Sequence, residues 1–153
     1  DGDIEVGDGS EIDWVIAVGR VRIGEQCKVG ILRARDAIVG PRSTIGRTCV
    51  RGALSVACDA ELGTAVAEES VVLAGANRIA SPVLVCRNGP IEVSGPVTMA
   101  GRDLQPSNVF SLSTDGAIGV QRTTGMGAVL CPLMTHELLN LLVSLTGAPL
   151  SVK

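Results

Sequence analysis

The stretch Val21-Arg22-Ile23-Gly24-Glu25-Gln26-Cys27-Lys28-Val29-Gly30 decides the fold. It holds an aliphatic residue followed by glycine, and six residues later the pair returns. The same double unit recurs along the chain. One column reads Val6-Gly7, Ile23-Gly24, Val39-Gly40, Val56-Ala57, Leu73-Ala74; the other reads Ile12-Asp13, Val29-Gly30, Ile45-Gly46, Leu62-Gly63, Ile79-Ala80. The step between units is 17, 16, 17 and 17 residues along either column. A unit this short cannot bury its own apolar residues, so it must stack on copies of itself. The pattern specifies an all-β chain: a β-solenoid of about six coils with repeats of about 17 residues.

A third column lies two residues before the second aliphatic: Ser10, Cys27, Ser43, Ala60, Asn77. In a strand, residues two apart face the same way. Each coil therefore sets a compact side chain beside an aliphatic one at an inner corner. The residues between the two aliphatic columns (DGSE, EQCK, PRST, CDAE, GANR) are polar or turn-forming, as an outward corner requires. The glycines after the aliphatics suit bends that need positive φ. Short β-branched stretches are expected as the sides: Arg20–Ile23, Ile31–Ala34, Leu54–Val56, Val71–Leu73 and Val83–Val85.

Composition agrees with a narrow interior. The chain has 153 residues, with one Phe, one Trp and no Tyr, although 46% of it is hydrophobic. Thin layers of Val, Ile, Leu and Ala need no aromatic fillers. Six coils at the strand spacing give a rod of about 30 Å. The expected units are a solenoid core over residues 1–100 and an extension over 101–153.

Regularity fades after Ile79, where Pro82, Asn88-Gly89-Pro90 and Gly95-Pro96 add residues. Beyond residue 100 the pattern suggests a hairpin or return segment from Val109–Leu112 and Ala117–Gln121. A C-terminal helix is expected over Thr135–Leu145: Pro132 precedes it, Thr135 caps it, and Gly147 and Pro149 end it. Its leucines leave little polar face, so it must pack on the solenoid, a partner or a lipid surface.

Several chemistries find no support. Cys27, Cys49, Cys58, Cys86 and Cys131 are odd in number and widely spaced, which implies compact thiols in a reducing compartment rather than a zinc site or a disulfide. The single histidine, His136, falls on the expected helix. Acyltransferases built on hexapeptide solenoids generally need a histidine base on the coil surface, and they keep an 18-residue coil. The acidic pairs Glu68-Glu69 and Asp59/Glu61 fall at corners, where they are solvated turn residues. No nucleophile elbow or phosphate loop is present. The net charge of −3 and the absence of a basic patch with interleaved aromatics speak against nucleic acid. The apolar run from Ala128 to Leu150 is too interrupted for a membrane span. The chain starts at Asp1 rather than Met, so native residues can precede it and targeting is not read from this end.

The residues Val21 to Gly30, repeated as Ile38 to Gly46 and Ser55 to Gly63, resemble the bactofilins and their archaeal polymer-forming relatives. The resemblance covers about residues 4–97 and rests on repeat length and the aliphatic-then-glycine pattern. It implies a right-handed triangular β-helix that assembles end to end into non-polar filaments without nucleotide, scaffolding the cell envelope. The apolar helix and the segment 101–131 depart from the small bacterial members. The expected function is thus a non-enzymatic scaffold without cofactor or metal. Its partner would be itself, with cell-envelope proteins or a membrane surface as further candidates, in the cytoplasm or at its membrane. Self-association would use Ile4 and Val6 at one end, Ile91 and Val93 at the other, and Leu138, Leu139 and Leu142 on the helix. A capped solenoid that presents a flat face to a protein partner is the alternative, and an acyltransferase-like enzyme the third reading.

Overall fold

Inward and outward residues alternate along Lys28–Ala34 with one break, and that break shapes the coil. Val29, Leu32 and Ala34 are buried, while Gly30 and Ile31 both face out in succession. Two consecutive outward residues turn the strand onto a new side. The break recurs at Gly46-Arg47 in Thr44–Val50 and at Gly63-Thr64 in Glu61–Ala67. Each coil thus presents three inward-facing stretches: a short strand and the two halves of a long, bent one.

The computed structural model describes residues 2–104, 109–112, 117–120, 127–132 and 151–152. The coils are β1 (Ile4–Val6) with β2 (Glu11–Ile16), β3 (Arg20–Ile23) with β4 (Lys28–Ala34), β5 (Asp36–Val39) with β6 (Thr44–Val50), and β7 (Ala53–Val56) with β8 (Glu61–Ala67). In the fifth coil β9 (Ser70–Leu73) is followed by a split long strand, β10 (Asn77–Ile79) and β11 (Leu84–Cys86), because Ser81-Pro82 intervene and proline donates no ladder hydrogen bond. The sixth is β12 (Ile91–Val93) with β13 (Val97–Met99). Short strands stack in parallel as β1-β3-β5-β7-β9-β12, and long strands stack as β2-β4-β6-β8, with β10 and β11 both on β8.

The register follows the sequence columns. Val6 pairs with Ile23, Ile23 with Val39, Val39 with Val56 and Val56 with Leu73. Ile12 pairs with Val29, Val29 with Ile45, Ile45 with Leu62 and Leu62 with Ile79. The core is these ladders plus a third, Val15–Leu32–Thr48–Ala65–Leu84, on the second half of the long strands. Removing each such Val, Leu or Ile from water contributes about 1.5–3 kcal/mol, so stacking rather than any single coil carries stability.

The corner glycines differ from expectation. Positive φ falls not on them but at the outward turn, on Gly9, Gln26, Arg42 and Asp59. Gly46 and Gly63 are required by close approach instead: a Cβ on either would collide with the backbone oxygen of the corner glycine one coil before. The compact third column closes the same turn through polar atoms. Ser43 Oγ donates to Gly24 O at 2.8 Å and accepts from Cys27 N at 3.1 Å. Asn77 Nδ2 donates to Ala74 O at 3.2 Å while its Oδ1 accepts from Ala60 N at 3.3 Å.

Beyond the coils, β14 (Arg102–Asp103) folds back on β13, and β17 (Gly127–Leu130) runs antiparallel to β11. The strand β15 (Val109–Leu112) pairs with β17 and, as a hairpin, with β16 (Ala117–Val120), which is joined by β18 (Ser151–Val152). The expected helix over Thr135–Leu145 lies outside the described residues. Among the described residues no helix is long and apolar enough to cross a membrane.

Candidate self-association site

A stack of strands ends twice, and the two ends of this one differ. At the N-terminal end, β1 pairs only with β3 and β2 only with β4, so one edge of each has no strand beside it among the described residues. Ile4, 38% exposed, lies on this rim. A shallow depression of about 530 Å³ opens across the end of the coil, lined by Ile4, Val6, Ile12, Trp14, Val15 and Ile16 among others. Unpaired strand edges over an apolar layer are a template for further pairing.

At the other end two of the three sides are covered. The antiparallel strands β14 and β17 occupy the free edges of β13 and β11. Met99, Leu84, Cys86, Ala128 and Leu130 are at most 1% exposed. Val85 and Val129 point the opposite way from these neighbours and are also buried, so this part of the sheet is enclosed on both faces. Only β12 ends its sheet without a further strand among the described residues.

The residues expected at the ends fall as follows. Ile4 and Val6 are on β1, and Ile91 and Val93 are on β12, the two outermost strands of the six-stranded sheet. Val6 and Ile91 point inward and are buried, whereas Ile4 and Val93 are exposed. Leu138, Leu139 and Leu142 lie outside the described residues, as does His136. The reading of the sequence placed Ile12 in its second column but did not assign it, Trp14 or Val15 to the N-terminal end; Trp14 and Val15 lie at and past the bend of β2, outside the two columns. It also missed the two covering strands, whose short runs carry no periodic signal.

Charge is segregated along the stack. Asp3, Glu5, Asp8, Glu11 and Asp13 crowd the first coil, and no Lys or Arg precedes Arg20. Two of these carboxylates hold the next coil: Asp3 Oδ1 accepts from Arg20 N at 2.7 Å and Asp8 Oδ1 from Glu25 N at 2.8 Å. Asp36 repeats the device, accepting from Ala53 N at 3.0 Å. Glu61 sits 3.9 Å from Arg78 and Glu68 3.9 Å from Arg87, so these corner carboxylates pair with arginines rather than with each other.

All five cysteines are free thiols. Burial pushes the Cys131 thiol up to about 11, and it raises Cys86 despite hydrogen bonds from Gly89 and Asn88 that pull the other way. Both stay protonated and unreactive near neutrality. Among the described residues no three His, Cys, Asp or Glu side chains cluster as metal ligands.

The class this architecture defines is the β-solenoid of about six turns, compatible with a β-helix family. Comparison with known proteins finds no matching family model, no matching curated protein and no matching solved structure.

Proposed function

We propose that this chain is a non-enzymatic scaffold that self-associates end to end through its solenoid, as the bactofilin-like resemblance of its repeats implies. One observation carries the reading: among the described residues no strand lies beside the outer edges of β1 and β2, which border an apolar depression. Pairing with another copy supplies the missing backbone partners and covers the aliphatic layer together. The covered C-terminal end sets the length of what forms. With β14 and β17 in place, association through the N-terminal end alone closes at a pair. Longer filaments require the β12 edge as a second contact.

The carboxylates of the first coil oppose an N-terminal pair at low ionic strength, because two acidic ends meet. Screening by salt relieves this repulsion, so association strengthens as salt is added. Sedimentation velocity over a range of concentrations, in low and in high salt, tests the reading. Dimers or longer chains that grow with concentration and salt are expected. Ile4→Glu, which adds a further carboxylate to the open edge, should return the protein to monomer. A protein that stays monomeric throughout would leave the alternative, a capped solenoid that displays a flat face to another protein.

A further inference from the structure

We propose that the outer face formed by the second halves of β2, β4 and β6 docks on the surface of an anionic lipid bilayer. Outward residues on this face stack in register as Trp14–Ile31–Arg47 and Ile16–Arg33–Cys49. Trp14 is 65% exposed and Ile16 56%, and at the corner beside them Val18 is 89% exposed. A groove of about 340 Å³ between Ile16, Val18 and the next two coils is lined by Arg33, Arg35 and Arg51.

Only Arg35 of these arginines has an acidic neighbour, Asp36, at 4.0 Å. Arg33, Arg47 and Arg51 make no ion pair among the described residues. Strongly apolar, exposed side chains and unpaired guanidinium groups thus share one side of the prism. Of the acids of the first coil, Glu5 is on the short-strand side and Glu11 on the first half of β2, while Asp13 is at the bend of β2 next to Trp14 and Asp3 is held by Arg20 N.

That separation selects the partner. A plane laid on this face meets the arginines and the apolar side chains, with Asp13 at its margin, and leaves Glu5 and Glu11 on other sides. A flexible polyanion would wrap past the corner onto them. Phosphodiester chains also offer nothing to Ile16, Val18 and Ile31, whereas the boundary between lipid headgroups and acyl chains accepts aliphatic side chains, tryptophan and arginine at once. The inference does not depend on self-association.

Trp14 is the only Trp in a chain without Tyr, and because it also lines the end depression its emission is followed at a protein concentration at which lipid-free samples sediment as monomer. The experiment titrates the full chain with phosphatidylcholine vesicles, with and without phosphatidylglycerol, and follows Trp14 fluorescence. A blue shift on the anionic vesicles, reversed by salt, is expected. Arg47→Gln with Arg51→Gln should weaken partition about 25-fold, at about fivefold for each arginine at an anionic surface. These exposed side chains lack ion pairs, so the fold is kept, and circular dichroism checks it. Absence of a shift on anionic vesicles, or equal partition into neutral ones, overturns the proposal. So does displacement of the protein from vesicles by soluble polyaspartate or heparin that reproduces the shift, which would point to an acidic macromolecule instead. Sedimentation of lipid-free samples reads self-association separately.

Discussion

Coils two to four and the segment after Ile79 meet the same demand by different means. In the central coils every strand repeats its neighbour: β4, β6 and β8 lie parallel, in register and bent at stacked glycines. Past Ile79 the repeat takes in Pro82, the long strand splits, and antiparallel β14 and β17 cover the exposed edges. A repeating stack can always accept another copy of itself. An antiparallel strand with a different side-chain pattern cannot be continued by the next coil, so it terminates the stack. The chain covers two sides of one end in this way, and among the described residues the other end is a bare repeat, which is why the N-terminal end is the candidate contact.

The largest expected effect breaks the central stack. Ile45 is 1% exposed and paired on both sides, to Val29 and Leu62. Ile45→Asp places a lone charge between two aliphatic layers, at a loss of about 4 kcal/mol or more. Loss of the β-sheet circular dichroism signal is expected. Retention of a folded C-terminal portion would show that the closing region stands without the stack and that the two are separate cooperative units.

A smaller effect of opposite sign tests how well the stack is packed. The Thr48 hydroxyl is buried in the Leu32–Thr48–Ala65 ladder and has no hydrogen-bond partner. Thr48→Val removes a dehydrated hydroxyl at nearly constant volume and should stabilise the protein by about 1 kcal/mol in urea unfolding. An unchanged or lowered midpoint would mean that the hydroxyl is satisfied in solution.

The smallest effect compares thiols in the two regions. Cys49 is exposed on an outer column of the stack, and Cys131 is buried beside β17. A thiol-specific reagent should label Cys49 and Cys58 in the folded protein and reach Cys131 only on unfolding. The pH dependence has a fixed sign. The unfolded thiol ionises near 9.0 and the folded one near 11, so above pH 9.0 the folded state holds the proton longer. The contribution of Cys131 is fully present below pH 9.0 and is lost as pH rises through about 11. Cys131→Ala should flatten the fall in urea midpoint over this range.

What could be read from the residues follows the same division. Five aliphatic pairs at a constant offset determine register, because slipping one coil by a residue would turn every ladder outward. The strand over Arg20–Ile23 and the pairing of Ile23 with Val39 follow from that. The third ladder through Leu32 and Ala65 was hidden because it begins three residues after the second, across a corner that only a bent strand explains. Gln26 and Arg42 give no hint of their positive φ, since the stack imposes it on residues that do not favour it, whereas Asp59 is of a type that tolerates it. Gly127–Leu130 is a short apolar run without alternation, and such a run does not declare which edge it will pair with. At the candidate site, Ile4 and Val6 were legible from their column. The covering of the opposite end was not, because it depends on contacts between segments far apart in the chain.

The Asp3, Asp8 and Asp36 bridges to the following coil, like the backbone bonds between coils, run along the long direction of the rod. Under tension applied from end to end, these bonds carry the load in series, one coil junction after another. A rod of this kind is as strong as its least reinforced junction. Between the fifth and sixth coils the long-strand pairing shrinks to three residues in β10–β13, against six in β4–β6, and no aspartate bridge is seen among the described residues; there the molecule has its mechanical fuse.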